Sequence, residues 1–450
     1  MRQNNIALTL LAAAVLVACG GNGSSGGDQT LKTKFSAQVS FGDSLSDLGS
    51  YAVGNVKTLG GGRFGINGDV TSVNPALTGK NWTELMAAQI GVAPPCPAMT
   101  GLDGDASLGY SVPVVLHAGC YGYAQGGSRV TNPVGYKNKL LGGIYGALTV
   151  PVAAQIQNHL NVSGGKFSGT ELVLVMAGAN EVFVQLTLMS AAATAAGTAA
   201  FGNTLVGLLA AGASNPLSAA QAIGLALQTE AARPGHTDAS VVGAAVGAAA
   251  VQPGNSAVAA PAVYGPMVAT AQAAGAKAGA DYVTATAPSL VAAMATAATE
   301  LGTLVKAQII GKGANYVVVN NLPDIGTTPF GKESDASTLA LVNAMVKTFN
   351  DVLSAALASE AKVAYVDAFA ASHDQATNPA PYGLTNVTTP ACDLSPAKNA
   401  LDSSLVCNGS NLIAGDVSHY AFADKVHPTP FVQLLLARYV SKYMVQKGWL

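Results

Sequence analysis

Short apolar runs alternating with helical patterns constrain the fold of this chain more than any other feature. Continuous apolar segments lie at about residues 35–41, 121–124, 172–176, 316–319 and 363–366. Runs of this length suit strands covered on both faces, as in a parallel sheet. Helical patterns separate them at 82–90, 152–159, 290–310, 337–358 and 431–445. Strand and helix in turn predict an α/β fold, a three-layer α/β/α sandwich around a mostly parallel central sheet. Sheets of this kind bind ligands beyond the carboxyl ends of their strands. The chain has 450 residues, half of them apolar, enough to bury such a core.

One stretch breaks the alternation. Residues 182–229 carry no charge, and Ala/Gly richness continues to about 285. Ala, Gly, Thr and Ser dominate there, and Asn203, Asn215 and Pro216 interrupt the runs. This favours an Ala-rich helical insertion at about 182–285 over a transmembrane hairpin. Elsewhere charge is sparse: 10% of residues, with a formal net charge of −2 and no basic cluster. That argues against nucleic acid as a partner, and against electrostatic docking on anionic lipid.

The N-terminus reads as an export signal, with Arg2 followed by an apolar run from Ile6 to Val17. It ends in Leu16-Val17-Ala18-Cys19, which resembles the lipobox of bacterial lipoproteins. The resemblance implies cleavage after residue 18 and a lipid on Cys19. Residues 19–34 then form the lipidated end and a Gly/Ser tether, and one domain occupies 35–450. The expectation is an exported protein, an outer-membrane lipoprotein or one at the cell surface, touching membrane only through its anchor. Oligomeric state is left open. Four further cysteines, Cys96, Cys120, Cys392 and Cys407, suit disulfides in an oxidising compartment; four allow three pairings, in one of which Cys96–Cys120 and Cys392–Cys407 each close a loop of moderate length. No CxxC or nearby His pair gives zinc spacing, and no metal or organic cofactor is implied.

Two segments suggest nucleophilic catalysis. In Phe41-Gly42-Asp43-Ser44-Leu45-Ser46-Asp47 an expected strand runs into a glycine turn and a serine. There the serine would sit where a helix starts, beside unpaired N–H groups able to receive an oxyanion. A serine needs a base. Near the far end, Asp424-Lys425-Val426-His427-Pro428-Thr429-Pro430 places a carboxylate three residues before a histidine, with Thr429 and Pro430 suited to open a helix. Between them, Gly126-Gly127 and Gly178-Ala179-Asn180 could supply a backbone N–H and a side-chain amide.

Together these segments resemble the SGNH/GDSL hydrolases, above all the secreted bacterial GDSL esterases and lipases. The block order of that family is matched at Ser44, Gly127, Asn180 and Asp424/His427, and Asn321-Leu322-Pro323-Asp324-Ile325-Gly326 is like another of its stretches. Two positions depart from the pattern: Gly122 stands where Asn is frequent, and Glu181 where Asp is usual. The resemblance implies the flavodoxin-like SGNH sandwich and a serine esterase or lipase. Ser44 would be its nucleophile, His427 its base and Asp424 its orienting acid. Ser44, Gly127 and Asn180 would form the oxyanion hole. The nearly uncharged insertion suggests an apolar wall, hence a lipid or other acyl ester. Alternatives are a carbohydrate O-acetyl esterase or acyltransferase on the same fold, and a surface binding lipoprotein on an inactive one.

Overall fold

The computed structural model describes residues 32–68 and 77–450. The signal segment, Cys19 and most of the tether lie outside the described residues. Among the described residues six strands are formed: β1 (Gln38–Gly42), an antiparallel ribbon of β2 (Met99–Asp103) and β3 (Ser111–Leu116), then β4 (Leu172–Met176), β5 (Tyr316–Asn320) and β6 (Val363–Val366). Strands β1, β4, β5 and β6 lie side by side in that order, all parallel. Their carboxyl ends finish level, with Gly42 opposite Met176, Met176 opposite Asn320, and Asn320 opposite Val366. This is the α/β architecture expected.

One expected strand is not regular. Residues 121–124 run beside β1 but form only a parallel bridge between Gly122 and Ser40. The reason is that Gly122 also bridges Pro97, so the segment is shared between the sheet and the loop at Cys96.

The helices of eight residues or more are α1 (Trp82–Gln89), α2 (Val152–Val162), α3 (Ala179–Ala210), α4 (Pro216–Ala231), α5 (Asp238–Ala250), α6 (Pro261–Leu304), α7 (Ala336–Leu357), α8 (Ala368–Thr377) and α9 (Pro430–Gln446). Side chains alternate across a strand, so β4 feeds both faces of the sheet. Leu172, Leu174 and Met176 join Trp82 and Met86 of α1 and Val440 and Met444 of α9. Val173 and Val175 join Ile156 of α2, Met294 of α6 and Phe349 of α7. Each such side chain contributes about 1.5–3 kcal/mol by burial. Two covered faces complete the three-layer sandwich.

The Ala-rich insertion forms an arm of four helices, α3 to α6. It is wider than residues 182–285, because α3 begins at Ala179 and α6 continues to Leu304. Both long helices have the length and apolar composition to cross a membrane. The end of α6, however, sits in the sandwich core through Leu290, Met294 and Leu301. The arm has a separate core far along, built from Leu205, Leu209, Ile223, Ala245 and Val246. Leu205 lies about 38 Å beyond Asn180 along α3, at 1.5 Å per residue.

Among the described residues two disulfides are present, Cys96–Cys120 and Cys392–Cys407, the connectivity with two local loops. On a chain-entropy account, a loop of this size stabilises by roughly 3 kcal/mol.

Candidate active site

The carboxyl end of β1 turns sharply at Gly42, which has φ +152° and lies so close to β4 that an added Cβ would sit 2.1 Å from the Met176 carbonyl oxygen. Buried Gln155 of α2 clamps the same peptide. Gly42 N–H donates to Gln155 Oε1 and Gln155 Nε2 donates to Gly42 O, both at 2.8 Å. Ser44 follows on a turn closed by Ser46 N–H donating to Asp43 O. No helix starts there, contrary to the sequence expectation, because the next carboxylate bends the chain again: Asp47 accepts from the N–H groups of Gly49 and Ser50.

The other end of the chain meets this turn. Thr429 caps α9 by accepting from Val432 N–H, with Pro430 at the first helical position, as the sequence predicts. Just before it, His427 places Nε2 2.9 Å from Ser44 Oγ and Nδ1 2.8 Å from Asp424 Oδ2. Phe64 packs against the imidazole, ring centroids 5.0 Å apart. Asp424 is buried and also accepts from the N–H groups of Ser404, Val426 and His427. Burial pushes its carboxyl up, but adjacent His427 and these N–H donors outweigh that and hold it below the ordinary carboxylate range. Asp424 is therefore an acceptor for imidazole, as an orienting acid must be.

A cavity of about 150 Å³ opens beside Ser44 and His427, and Gly127 and Asn180 line it. Gly126 N–H is occupied, donating to Asp47 Oδ2 at 2.8 Å. The N–H groups of Ser44 and Gly127 donate to no protein group among the described residues. Asn180, buried on the first turn of α3, gives one amide hydrogen to Ser128 O at 3.0 Å and keeps another. The expected nucleophile, base, acid and three oxyanion donors thus share one space.

Several supporting residues carry no local sequence signal. Buried Tyr51 donates to Gly126 O at 2.8 Å and accepts from Thr149 N–H at 3.2 Å, bracing the loop that presents Gly127. Glu181, which the sequence marked as a departure beside Asn180, does related work, pairing with Arg129 and accepting from Val130 N–H at 3.0 Å. Ser404 lies within the loop closed by Cys392–Cys407 and fixes Asp424 from there. The Asn321–Gly326 stretch stays outside the cavity. Asn321 Nδ2 donates to Asp367 Oδ1, and Asp324 Oδ2 lies 2.7 Å from His373 Nδ1. Asp43 is buried, which raises its carboxyl to about 7 despite the Leu45 N–H it accepts and the nearby His427. His159 sits in the core among Phe41, Tyr121, Tyr123 and Phe167, and burial lowers it to about 4. Among the described residues no group of three or more His, Cys, Asp or Glu is arranged to hold a metal ion.

Residues 273–440 match the family described as GDSL-like Lipase/Acylhydrolase. That span includes Asp424 and His427 but neither Ser44, Gly127 nor Asn180. Two curated relatives are GDSL esterase/lipases of Arabidopsis thaliana. One is 28% identical over 137 residues, covering 28% of this chain and 36% of the relative. The other is 24% identical over 137 residues, covering 28% and 37%. The chain thus spans little more than a third of the length of these relatives. The matches support a hydrolase of the GDSL lipase/acylhydrolase kind.

Proposed function

We propose that this chain is a serine hydrolase of carboxylic esters, acting through Ser44, His427 and Asp424. The observation that carries the reading is the unbroken hydrogen-bond line from Asp424 through His427 to Ser44 Oγ, ending in a cavity edged by three oxyanion donors. Ser44 Oγ attacks the ester carbonyl while His427 Nε2 takes its proton. Asp424 holds the ring with Nε2 facing the serine and stabilises the imidazolium. The carbonyl oxygen, now an anion, sits among Ser44 N–H, Gly127 N–H and the Asn180 amide. Collapse expels the alcohol, which takes the proton from His427. Water, deprotonated by His427, then attacks the acyl-serine; the acid leaves and Ser44 recovers its proton.

Ser44→Ala removes the nucleophile and is expected to lower p-nitrophenyl ester turnover thousands-fold or more, with the fold retained. Near-normal turnover by a folded Ser44→Ala protein would overturn the reading. The sequence argument for a lipid substrate rests on the nearly uncharged insertion as a wall of the site. Of the arm, only Ala179, Asn180 and Phe183 line the cavity, so that support is confined to one helical turn.

The same proposal includes export and attachment through a lipid on Cys19. The two disulfides support an oxidising compartment. Cys19→Ser is expected to shift the protein from the membrane fraction to the soluble one. A wild-type protein that incorporates no labelled fatty acid contradicts the anchor and leaves the esterase reading intact.

A further inference from the structure

The cavity beside Ser44 is small and has an aromatic wall. Its volume is about 150 Å³, and a protein cavity of about that size is filled by benzene, six heavy atoms. An ester group brings a carbonyl carbon and two oxygens, so a chain directed against the aromatic wall has space for about three more carbons, a butanoyl group, inside this partly open cavity.

The wall explains where the space ends. Asn180 and Phe183 stand three residues apart on the first turn of α3, hence on one face of it, and both line the cavity. The Phe183 ring meets Phe330 edge to face, centroids 5.5 Å apart at 81°. The Tyr136 ring lies 5.7 Å from that of Phe183 as well. The row Tyr136–Phe183–Phe330 thus closes one side of the space, each ring held by the next. Phe183 and Phe330 also pack on the sandwich core, which limits their freedom to swing aside.

We propose that Phe183 is the specificity-determining residue that limits the acyl chain, making the protein an esterase of short acyl groups, up to about four carbons. This rests on the serine-hydrolase reading. One helical turn then does two jobs: Asn180 binds the oxyanion and Phe183, on the same face, measures the chain attached to it.

The test compares kcat/KM for p-nitrophenyl acetate, butanoate and octanoate in the full-chain protein and in Phe183→Ala, Phe183→Leu and Phe183→Trp. Wild type is expected to prefer butanoate over octanoate on the order of a hundredfold, the scale on which pockets discriminate by chain volume. Phe183→Ala narrows that ratio about tenfold or more, Phe183→Leu by less, and Phe183→Trp widens it. Should Phe183→Ala fail to fold, the leucine and tryptophan variants and the wild-type profile still decide the matter. A wild-type profile flat from acetate to octanoate overturns the proposal, as does a ratio that no Phe183 variant moves. In either case esterase activity abolished by Ser44→Ala leaves the catalytic reading standing. Absence of turnover on all three esters overturns both.

Discussion

The sheet edge and the helical arm are built on opposite principles. At the edge, buried polar groups are paired across long stretches of sequence: Asp47 with Gly126, Gln155 with Gly42, Ser404 with Asp424. Beneath them lies a core of large side chains, among them Trp82, Phe41 and Phe349. The arm instead packs small residues. A Cβ added at Gly275 of α6 would sit 2.9 Å from the Gly197 carbonyl oxygen of α3, so the two helices touch backbone to backbone. Its core of Ala, Val, Leu and Ile is separate from that of the sandwich. The difference teaches that a long, sparsely charged insertion can be stable on a core of its own while only its first turn shapes the site.

That division can be broken from either side. The largest effect is expected at the edge. Asn180→Ala removes a donor to an anion formed only as the carbonyl becomes tetrahedral, and kcat should fall on the order of 10²–10³-fold with little change in KM. A pure rise in KM would assign Asn180 to ground-state binding instead. In the arm the effect should be on stability alone. Gly275→Leu forces α3 and α6 apart and is expected to cost about 1–3 kcal/mol in denaturant unfolding. Its kcat/KM should stay within about threefold, since the substitution lies far from Ser44. A fall in kcat matching that of Asn180→Ala would show that the arm is coupled to the site.

The smallest expected effect is a pH dependence at the edge. Buried Asp43 holds its proton to about pH 7 in the folded protein, against an ordinary value of 3.8. Between those values the folded state binds more protons than the unfolded one, so this group's contribution to stability falls as pH rises and then levels off. Asp43→Asn abolishes the titration. The melting temperature of the variant relative to wild type should therefore be a few degrees higher at pH 8 than at pH 5. An unchanged difference between the two would mean that Asp43 is already ionised at the lower pH.

Much of this was legible in the chain. The apolar periodicity predicts the parallel sandwich, because a strand buried on both faces leaves a mark in five consecutive residues such as those of β4. Local spacing predicts the cap at Thr429 and the Asp424–His427 pair, since those contacts span three residues. The arm was legible as helical, though its bounds were not: Ala179 and Leu304 belong at once to arm and domain, and composition changes only further in. The turn after Ser44 was misjudged because Asp47, which bends the chain there by accepting from Gly49 and Ser50, is itself held by the Gly126 N–H from 79 residues away.

By itself, the sequence determined which groups are available and on which kind of element each rides. It singled out Ser44, Gly127, Asn180, Asp424 and His427, preferring Gly127 to Gly126 as a donor. The tertiary structure adds that Asp47 occupies the Gly126 N–H and leaves that of Gly127 without a protein acceptor among the described residues. It alone set His427 against a serine 383 residues away and stood Phe183 beside Tyr136 and Phe330. Such contacts have no period and no fixed spacing. They exist because level strand ends deliver distant loops to one edge, where burial obliges each polar group to find a partner.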